Sequence, residues 1–129
     1  MENNLNKIKV LIIDDSIVAR MIVKKTIKER GYNIIEAANG TEGLQLIKTG
    51  NPDIILTDYL MPDMNGLEMV EIVRKDGIMT PIIVISANQQ DKTKEKFNEL
   101  GVIGVVKKQS IETELLNYID TAISLLGGK

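Results

Sequence analysis

Two residue types that carry much of protein chemistry are absent from this chain of 129 residues, which contains no cysteine and no histidine. Without cysteine there is no disulfide framework, no thiol nucleophile and no thiolate zinc site. Without histidine there is no imidazole base, no phosphohistidine and no histidine metal ligand. Any catalysis must therefore come from carboxylate, hydroxyl or amine side chains.

Long apolar runs and an excess of one charge are missing as well. No run approaches the roughly 20 apolar residues that span a bilayer, and residues 1–7 are polar, unlike a secretory signal peptide. The formal net charge of −2, from 16 basic and 18 acidic residues, offers no electrostatic attraction for nucleic acid. We expect a cytoplasmic protein with no membrane insertion and no direct contact with nucleic acid.

The composition is that of one folded domain. The hydrophobic fraction of 43% and the charged fraction of 26% are ordinary for a globular protein. A chain of 129 residues can bury about two-thirds of its unfolded surface without disulfides or metal. Because no repeat or long linker interrupts it, we predict a single domain over residues 1–129, with a core of about 7–126.

Five short apolar runs alternate with five segments of helical spacing, a pattern typical of β–α units that build a parallel sheet. The second run is the most polar, which favours an edge position. The predicted strands are Lys9–Ile13, Asn33–Ala37, Asp53–Thr57, Pro81–Ser86 and Val102–Val106. The predicted helices run from a Ser16 cap to Gly31, from Thr41 to Lys48, from Gly66 to Lys75, from Asp91 to Leu100, and onward from a Ser110 cap.

Acidic residues close two of these strands. Asp14 and Asp15 follow the first, and Asp58 follows the third. The carboxyl ends of parallel strands lie along one edge of a sheet, so these carboxylates should converge. Two ionised carboxylates about 4 Å apart repel by roughly 4 kcal/mol near a protein surface, and a hard cation or a shared proton would offset that repulsion. Taken alone, the acid pair with Ser16 would also suit a simple helix cap.

Other polar residues complete the pattern. Asp58 begins the segment Asp58-Tyr59-Leu60-Met61-Pro62-Asp63-Met64-Asn65-Gly66, which is rich in turn-forming residues. Ser86 and Ala87 end the fourth strand, and Lys107 and Lys108 end the fifth. Together with the acid pair, these motifs resemble the receiver domain of two-component response regulators, from about Lys7 to Leu126. The resemblance implies a doubly wound, flavodoxin-like α/β fold with five parallel strands in the order 2-1-3-4-5.

The resemblance also implies a role for each residue. Asp58 matches the phosphoacceptor and Ser86 the hydroxyl that contacts the phosphoryl group. Asp14 and Asp15 match the acidic pair around Mg²⁺, which Asp58 and a backbone carbonyl near Leu60 would complete.

The lysine is chosen by register. Residues 101–110 align without gaps with the family pattern Gly-Ala-x-x-(Tyr/Phe)-Leu-x-Lys-Pro-Phe, which selects Lys108. Neighbouring residues on a strand point to opposite faces, so we do not expect both lysines to reach the site. Lys107 is the alternative candidate. Gln109 replaces the family proline, leaving either a trans peptide with a shifted Lys108 or a strained cis bond. Val105 replaces a common aromatic residue, so we expect activation to rely on the segment after Ser86 and on helix four.

The function implied by the resemblance is a phosphorylation-dependent switch. A histidine kinase would phosphorylate Asp58, and the signal would pass by protein contact through helix four, strand five and helix five. Such a domain is not an enzyme for an external substrate, although it can catalyse its own phosphorylation and dephosphorylation. The run Asp14-Asp15-Ser16 followed by Arg20 resembles the chemotaxis subclass. We expect the protein to be a monomer or a weak dimer.

Two alternatives remain open. A small Mg²⁺-dependent aspartate phosphatase would use similar acids, but it usually has a second acid two residues after the nucleophile, where this chain has Leu60. A degenerate receiver that binds partners without phosphorylation would fit Gln109 and Val105. The complete set of acids argues against it.

Overall fold

The computed structural model describes residues 8–87 and 91–126, so residues 1–7 and 127–129 of the predicted domain lie outside the described residues. Strands and helices alternate as predicted. The strands are β1 (Lys9–Ile13), β2 (Asn33–Ala37), β3 (Ile54–Asp58), β4 (Ile82–Ser86) and β5 (Gly104–Lys107). The helices are α1 (Ile17–Ile27), α2 (Gly40–Gly50), α3 (Gly66–Lys75), α4 (Asp91–Glu99) and α5 (Ile111–Leu125), with short 3-10 turns at Lys28–Arg30 and Lys108–Ser110.

The five strands form one parallel sheet in the order β2-β1-β3-β4-β5. This arrangement confirms the predicted flavodoxin-like fold and the edge position of β2. The strands consist mainly of β-branched residues, which suit a pleated surface that is packed on both sides. The register pairs Ile13 with Thr57 and Asp58 with Ile85, so the carboxyl ends of β1, β3 and β4 lie side by side.

The core lies on both faces of the sheet because successive strand residues point to opposite sides. Along β1, Val10 and Ile12 join a buried cluster with residues of α1 and α5, whereas Leu11 and Ile13 join a second cluster with residues of α2, α3 and α4. The only phenylalanine, Phe97, brings α4 into the second cluster and is 2% exposed. Its ring makes an edge-on contact with Tyr59, with the ring centroids 6.2 Å apart.

The helix ends show which predicted caps form. Ser16 accepts a hydrogen bond from the Ala19 amide through Oγ at 3.1 Å, as expected of an N-cap. Gly31 adopts a left-handed conformation with φ of 73°, which ends the first helical segment. The predicted Ser110 cap is only partly correct: Ser110 precedes α5, but its side chain makes no capping hydrogen bond, because a 3-10 turn leads into the helix.

Several predicted boundaries were wrong by one or two residues. β5 begins at Gly104 and not at Val102, because the Val102 amide donates to the Phe97 carbonyl at 3.0 Å and so belongs to the end of α4. β3 begins after Asp53, whose side chain turns back to accept from the Lys9 amide at 2.9 Å. β4 begins after Pro81, which has no amide hydrogen to donate. Within the described residues, no helix combines the length and the apolar character needed to cross a membrane.

Candidate phosphoryl and metal site

Three carboxylates meet at the carboxyl-terminal edge of the sheet. Asp14, Asp15 and Asp58 each offer one oxygen, and these oxygens all lie within 4.8 Å of one another. Asp14 and Asp58 are buried, whereas Asp15 is exposed. Residues separated by more than 40 positions in the chain are thus brought into one cluster by the pairing of β1 with β3.

Asp14 is held by three different groups. Its amide donates to the Ala37 carbonyl at 3.1 Å, and its Oδ1 accepts from the Ser16 amide at 2.9 Å. Its carbonyl accepts from Nη1 of Arg20, whose Nε donates to Oε1 of Glu36 at 2.8 Å. Arg20 thereby fixes the turn between β1 and α1. In the sequence, Arg20 stands out only through its resemblance to the chemotaxis subclass, because no local pattern shows that a helix residue bonds back to the end of the strand.

Lys108 is the lysine that reaches the cluster. Its Nζ lies 3.5 Å from Oδ1 of Asp58. The peptide between Lys108 and Gln109 is trans, which decides between the two alternatives that the missing proline left open. Lys107 instead lines a groove beside β5, together with residues of α4 and α5.

Ser86 lies on the strand next to Asp58, and Leu60 follows Asp58 closely in the chain. Ser86 ends β4, the strand next to β3, and is 4% exposed. Leu60 is the second residue after Asp58, and its side chain points to solvent with 66% exposed. The loop that carries Leu60 closes on itself through the Gly66 amide, which donates to the Tyr59 carbonyl at 2.6 Å.

Burial and mutual repulsion shape the electrostatics of the cluster. Desolvation, followed by the neighbouring charge of Asp14, raises the pKa of Asp58 to about 6, although Lys108 opposes the rise. Burial also raises the pKa of Asp14, against the opposing hydrogen bond from the Ser16 amide. Near pH 7 the site therefore holds carboxylates that are costly to ionise.

The residues present fit a divalent cation. Mg²⁺ prefers a small set of carboxylate oxygens and keeps several water ligands, and this cluster offers three carboxylates, one of them exposed. A cation here would offset the repulsion between Asp14 and Asp58. Because the Lys108 ammonium lies 3.5 Å from Asp58, it can bind an anion that is attached to that carboxylate.

One acid of the same loop was not singled out from the sequence. Asp63 turns away from the cluster and accepts hydrogen bonds from Gly40 and Thr41 at the start of α2. Its partners are more than 20 residues away along the chain, so only the tertiary structure reveals them.

Comparison with known proteins identifies the family and the fold of the chain. The response regulator receiver domain family matches residues 10–120. A curated relative, the transcriptional regulatory protein YdfI of Bacillus subtilis, is 38% identical over 117 residues, which cover 89% of this chain and 54% of YdfI. The chain thus spans about half the length of this relative.

Solved receiver domains have the same architecture. The receiver domain of the Francisella response regulator 1452 is 30% identical and superposes with a TM-score of 0.81, covering 91% of this chain and 98% of that one. The Vibrio cholerae chemotaxis protein CheY4 is 31% identical with a TM-score of 0.81, covering 90% of this chain and 98% of that one.

Proposed function

The chain belongs to the response regulator receiver domain family, and from that premise we propose that it is a signalling switch in which Asp58 accepts a phosphoryl group from a histidine kinase. The observation that carries the proposal is the meeting of three carboxylate oxygens within 4.8 Å, with the Lys108 ammonium 3.5 Å from Asp58. This arrangement supports a site that combines a nucleophile, a bound cation and a counter-charge for a phosphoryl group.

The transfer is an exchange of two bonds. A carboxylate oxygen of Asp58 attacks phosphorus, the phosphorus–nitrogen bond of the kinase phosphohistidine breaks, and the imidazole leaves with the electron pair and takes up a proton. The transition state is loose, so the protein contributes mainly positioning and charge neutralisation. Bound Mg²⁺, held by Asp14, Asp15, Asp58 and a backbone carbonyl near Leu60, would neutralise charge on the phosphoryl oxygens.

Lys108 and Ser86 would bind the phosphoryl group once it is attached. Lys108 provides a flexible ammonium that can follow the phosphoryl oxygens, and Ser86 provides one hydroxyl donor. Because the Asp58 carboxylate gives up its own charge on becoming an acyl phosphate, phosphorylation replaces one negative charge with nearly two beside the end of β5, which changes the position that Lys108 favours. We propose that this local change is the origin of the signal.

The first two turns of α1 offer a docking surface for the kinase. Four large apolar side chains are exposed there: Ile17, Val18, Met21 and Ile22. An exposed apolar patch on a domain of this size is typical of a protein contact. The patch begins two residues after Asp15, so a kinase helix packed on it would bring its phosphohistidine close to Asp58.

We propose that the output partner binds a different surface, formed by α4, β5 and α5. A groove of about 450 Å³ opens there, with Phe97 and Val105 among its apolar lining and Lys94 and Lys107 among its charged residues. Val105 is smaller than the aromatic residue common in the family and leaves room in this groove. Residues 88–90, which connect Ala87 to α4, lie outside the described residues.

Phosphorylation can be tested directly by mass spectrometry. We expect the protein, incubated with Mg²⁺ and acetyl phosphate, to gain the mass of one phosphoryl group, and Asp58→Asn to gain none. Asp120→Asn is a matched control, because Asp120 is an exposed acid paired with Arg30 and remote from the cluster. Absence of an adduct on the wild type, or an adduct of equal yield on Asp58→Asn, would contradict the proposal.

A chemotaxis role is the finer proposal, supported by the similarity to CheY4 across nearly the whole of that protein. A strain lacking this chain should then lose directed spreading on soft agar, and the wild-type gene should restore it while Asp58→Asn should not. Normal spreading of the deletion strain would exclude chemotaxis and leave the phosphorylation switch intact.

A further inference from the structure

Asp63, in the loop between β3 and α3, joins that loop to the start of α2. Its Oδ1 accepts from the Gly40 amide at 2.9 Å, and its Oδ2 accepts from the Thr41 amide at 2.8 Å and from the Thr41 hydroxyl at 2.6 Å. The first amides of a helix are polarised and lack partners within the helix, so they favour a carboxylate. The Thr41 hydroxyl, followed by the two amides, lowers the pKa of Asp63 to about 2, which keeps it ionised at neutral pH.

An apolar contact supports the same attachment. A methyl group added to Gly40 would lie 2.4 Å from Cγ of Met64, so the missing side chain of Gly40 lets Met64 pack on the start of α2. Asp63 and Met64 are adjacent in the chain. The middle of the loop is thus fastened to α2 by a charged residue and by an apolar one.

The base of the loop is closed separately. The Gly66 amide donates to the Tyr59 carbonyl at 2.6 Å, and a side chain at Gly66 would meet the Asp58 carbonyl at 3.0 Å. Leu60 lies between the closed base and the attachment at Asp63. Since the Leu60 side chain is exposed, its own packing does not fix the backbone there.

We propose that Asp63 is a positioning residue for the metal site: by bonding to the start of α2 it holds the loop whose backbone carbonyl near Leu60 would bind the cation. This inference rests on the proposed function, because it assigns Asp63 to the same Mg²⁺ site. Asp63 itself touches neither the cation nor the phosphoryl group. Its contribution is to order the loop before the cation binds, so that binding does not carry the entropic cost of ordering it.

The test is a titration of the full chain with MgCl₂, followed by amide shifts in two-dimensional NMR spectra. Asp63→Asn keeps the size of the side chain and removes its charge, and we expect the dissociation constant for Mg²⁺ to rise about tenfold, as for other residues that orient metal ligands. Asp53→Asn is the matched control. Asp53 also accepts a backbone amide, that of Lys9 at 2.9 Å, but it lies at the opposite edge of the sheet.

A second variant links the effect to the contact itself. Thr41→Val removes the hydroxyl donor and leaves both amides, so its effect on Mg²⁺ affinity should be smaller and in the same direction. In the double variant the two effects should not add, because they act on one contact. With saturating Mg²⁺, phosphorylation of Asp63→Asn by acetyl phosphate should return to the wild-type rate, which a misfolded protein would not do.

The outcomes separate the two proposals. If the wild type binds Mg²⁺ and Asp63→Asn binds it equally well, or weakens no more than Asp53→Asn, the inference about Asp63 is overturned and the switch stands. If the wild type shows no saturable Mg²⁺ binding, the metal site of the proposed function fails and the role of Asp63 fails with it.

Discussion

At the amino-terminal edge of the sheet, charged side chains bond to main-chain groups, whereas at the carboxyl-terminal edge charged side chains face one another. Arg74 donates to the carbonyls of Ile78, Thr80, Leu100 and Gly101, which precede β4 and β5. In the same region Lys9 donates through Nζ to the Gly50 carbonyl at 2.6 Å. At the other edge, the carboxylates of Asp14, Asp15 and Asp58 share a small volume with Lys108.

The difference separates charges that stabilise the fold from charges that, under the proposed function, would bind a ligand. A buried polar group with complete hydrogen bonds contributes to stability, whereas crowded like charges reduce it until a ligand relieves them. Both edges belong to one sheet and differ in what surrounds the charges. Functional sites commonly retain arrangements that reduce stability locally, and the rest of the fold offsets this loss.

The largest effect should follow a substitution at the amino-terminal edge. Arg74→Gln removes a half-buried guanidinium and leaves several carbonyls without donors, so the free energy of unfolding should fall by about 2–4 kcal/mol. Urea unfolding followed by circular dichroism measures it. The control is Arg30→Gln, which breaks an exposed ion pair with Asp120 and should cost less than about 1 kcal/mol. Equal losses for both variants would remove the contrast between the edges.

A smaller effect of opposite sign is expected at the carboxyl-terminal edge. Asp58→Asn removes one of two crowded, buried carboxylates, so without metal the fold should become more stable by about 1–2 kcal/mol at pH 7. Urea unfolding in a chelating buffer measures the change. Added Mg²⁺ should stabilise the wild type and leave Asp58→Asn nearly unaffected. A destabilised Asp58→Asn would show that Asp58 is held mainly for the fold.

The smallest expected effect is a pH dependence of the metal-free wild type. The pKa of Asp58 is about 6 in the folded state, above its ordinary value of 3.8, so the folded state keeps the proton to a higher pH. As the pH rises from about 4 to 6, the unfolded state ionises first, and the contribution of this group to stability falls and then levels off above 6. Unfolding free energies of the wild type minus those of Asp58→Asn, measured from pH 4 to 8, isolate this group. If the unfolding free energy of the wild type instead increased relative to that of Asp58→Asn as the pH rises, the raised pKa of Asp58 would be contradicted.

The strands and the positions of the acids could be predicted because each depends on a local pattern. Lys9–Ile13 and Asn33–Ala37 were predicted with their observed bounds, and α3 likewise, since apolar runs and turn residues mark them clearly. The start of β5 was wrong because Val102 and Ile103 are as apolar as a strand. The bond from the Val102 amide to Phe97, which assigns Val102 to the end of α4, has no signature in the residue types.

The roles of Asp63 and Arg74 could not be predicted for a related reason. Their partners are main-chain groups, which every residue has, so no residue type marks the contact. No motif in the sequence includes Arg74, and the structure shows it bonded to two loops. The acids of the cluster differ in this respect, because a carboxylate at a strand end is visible in the sequence and the geometry of a parallel sheet predicts where it lies.

From residue order alone follow the alternation of strands and helices, the exclusion of cysteine and histidine chemistry, and the presence of acids after β1 and β3. The folded chain decides how far Asp14 and Asp58 are buried, that Lys108 and not Lys107 reaches them, and that Asp63 bonds to α2. The physical reason is one of range. Periodicity and turn preference act over a few residues, whereas desolvation, charge repulsion and contacts between loops exist only after distant segments have packed together.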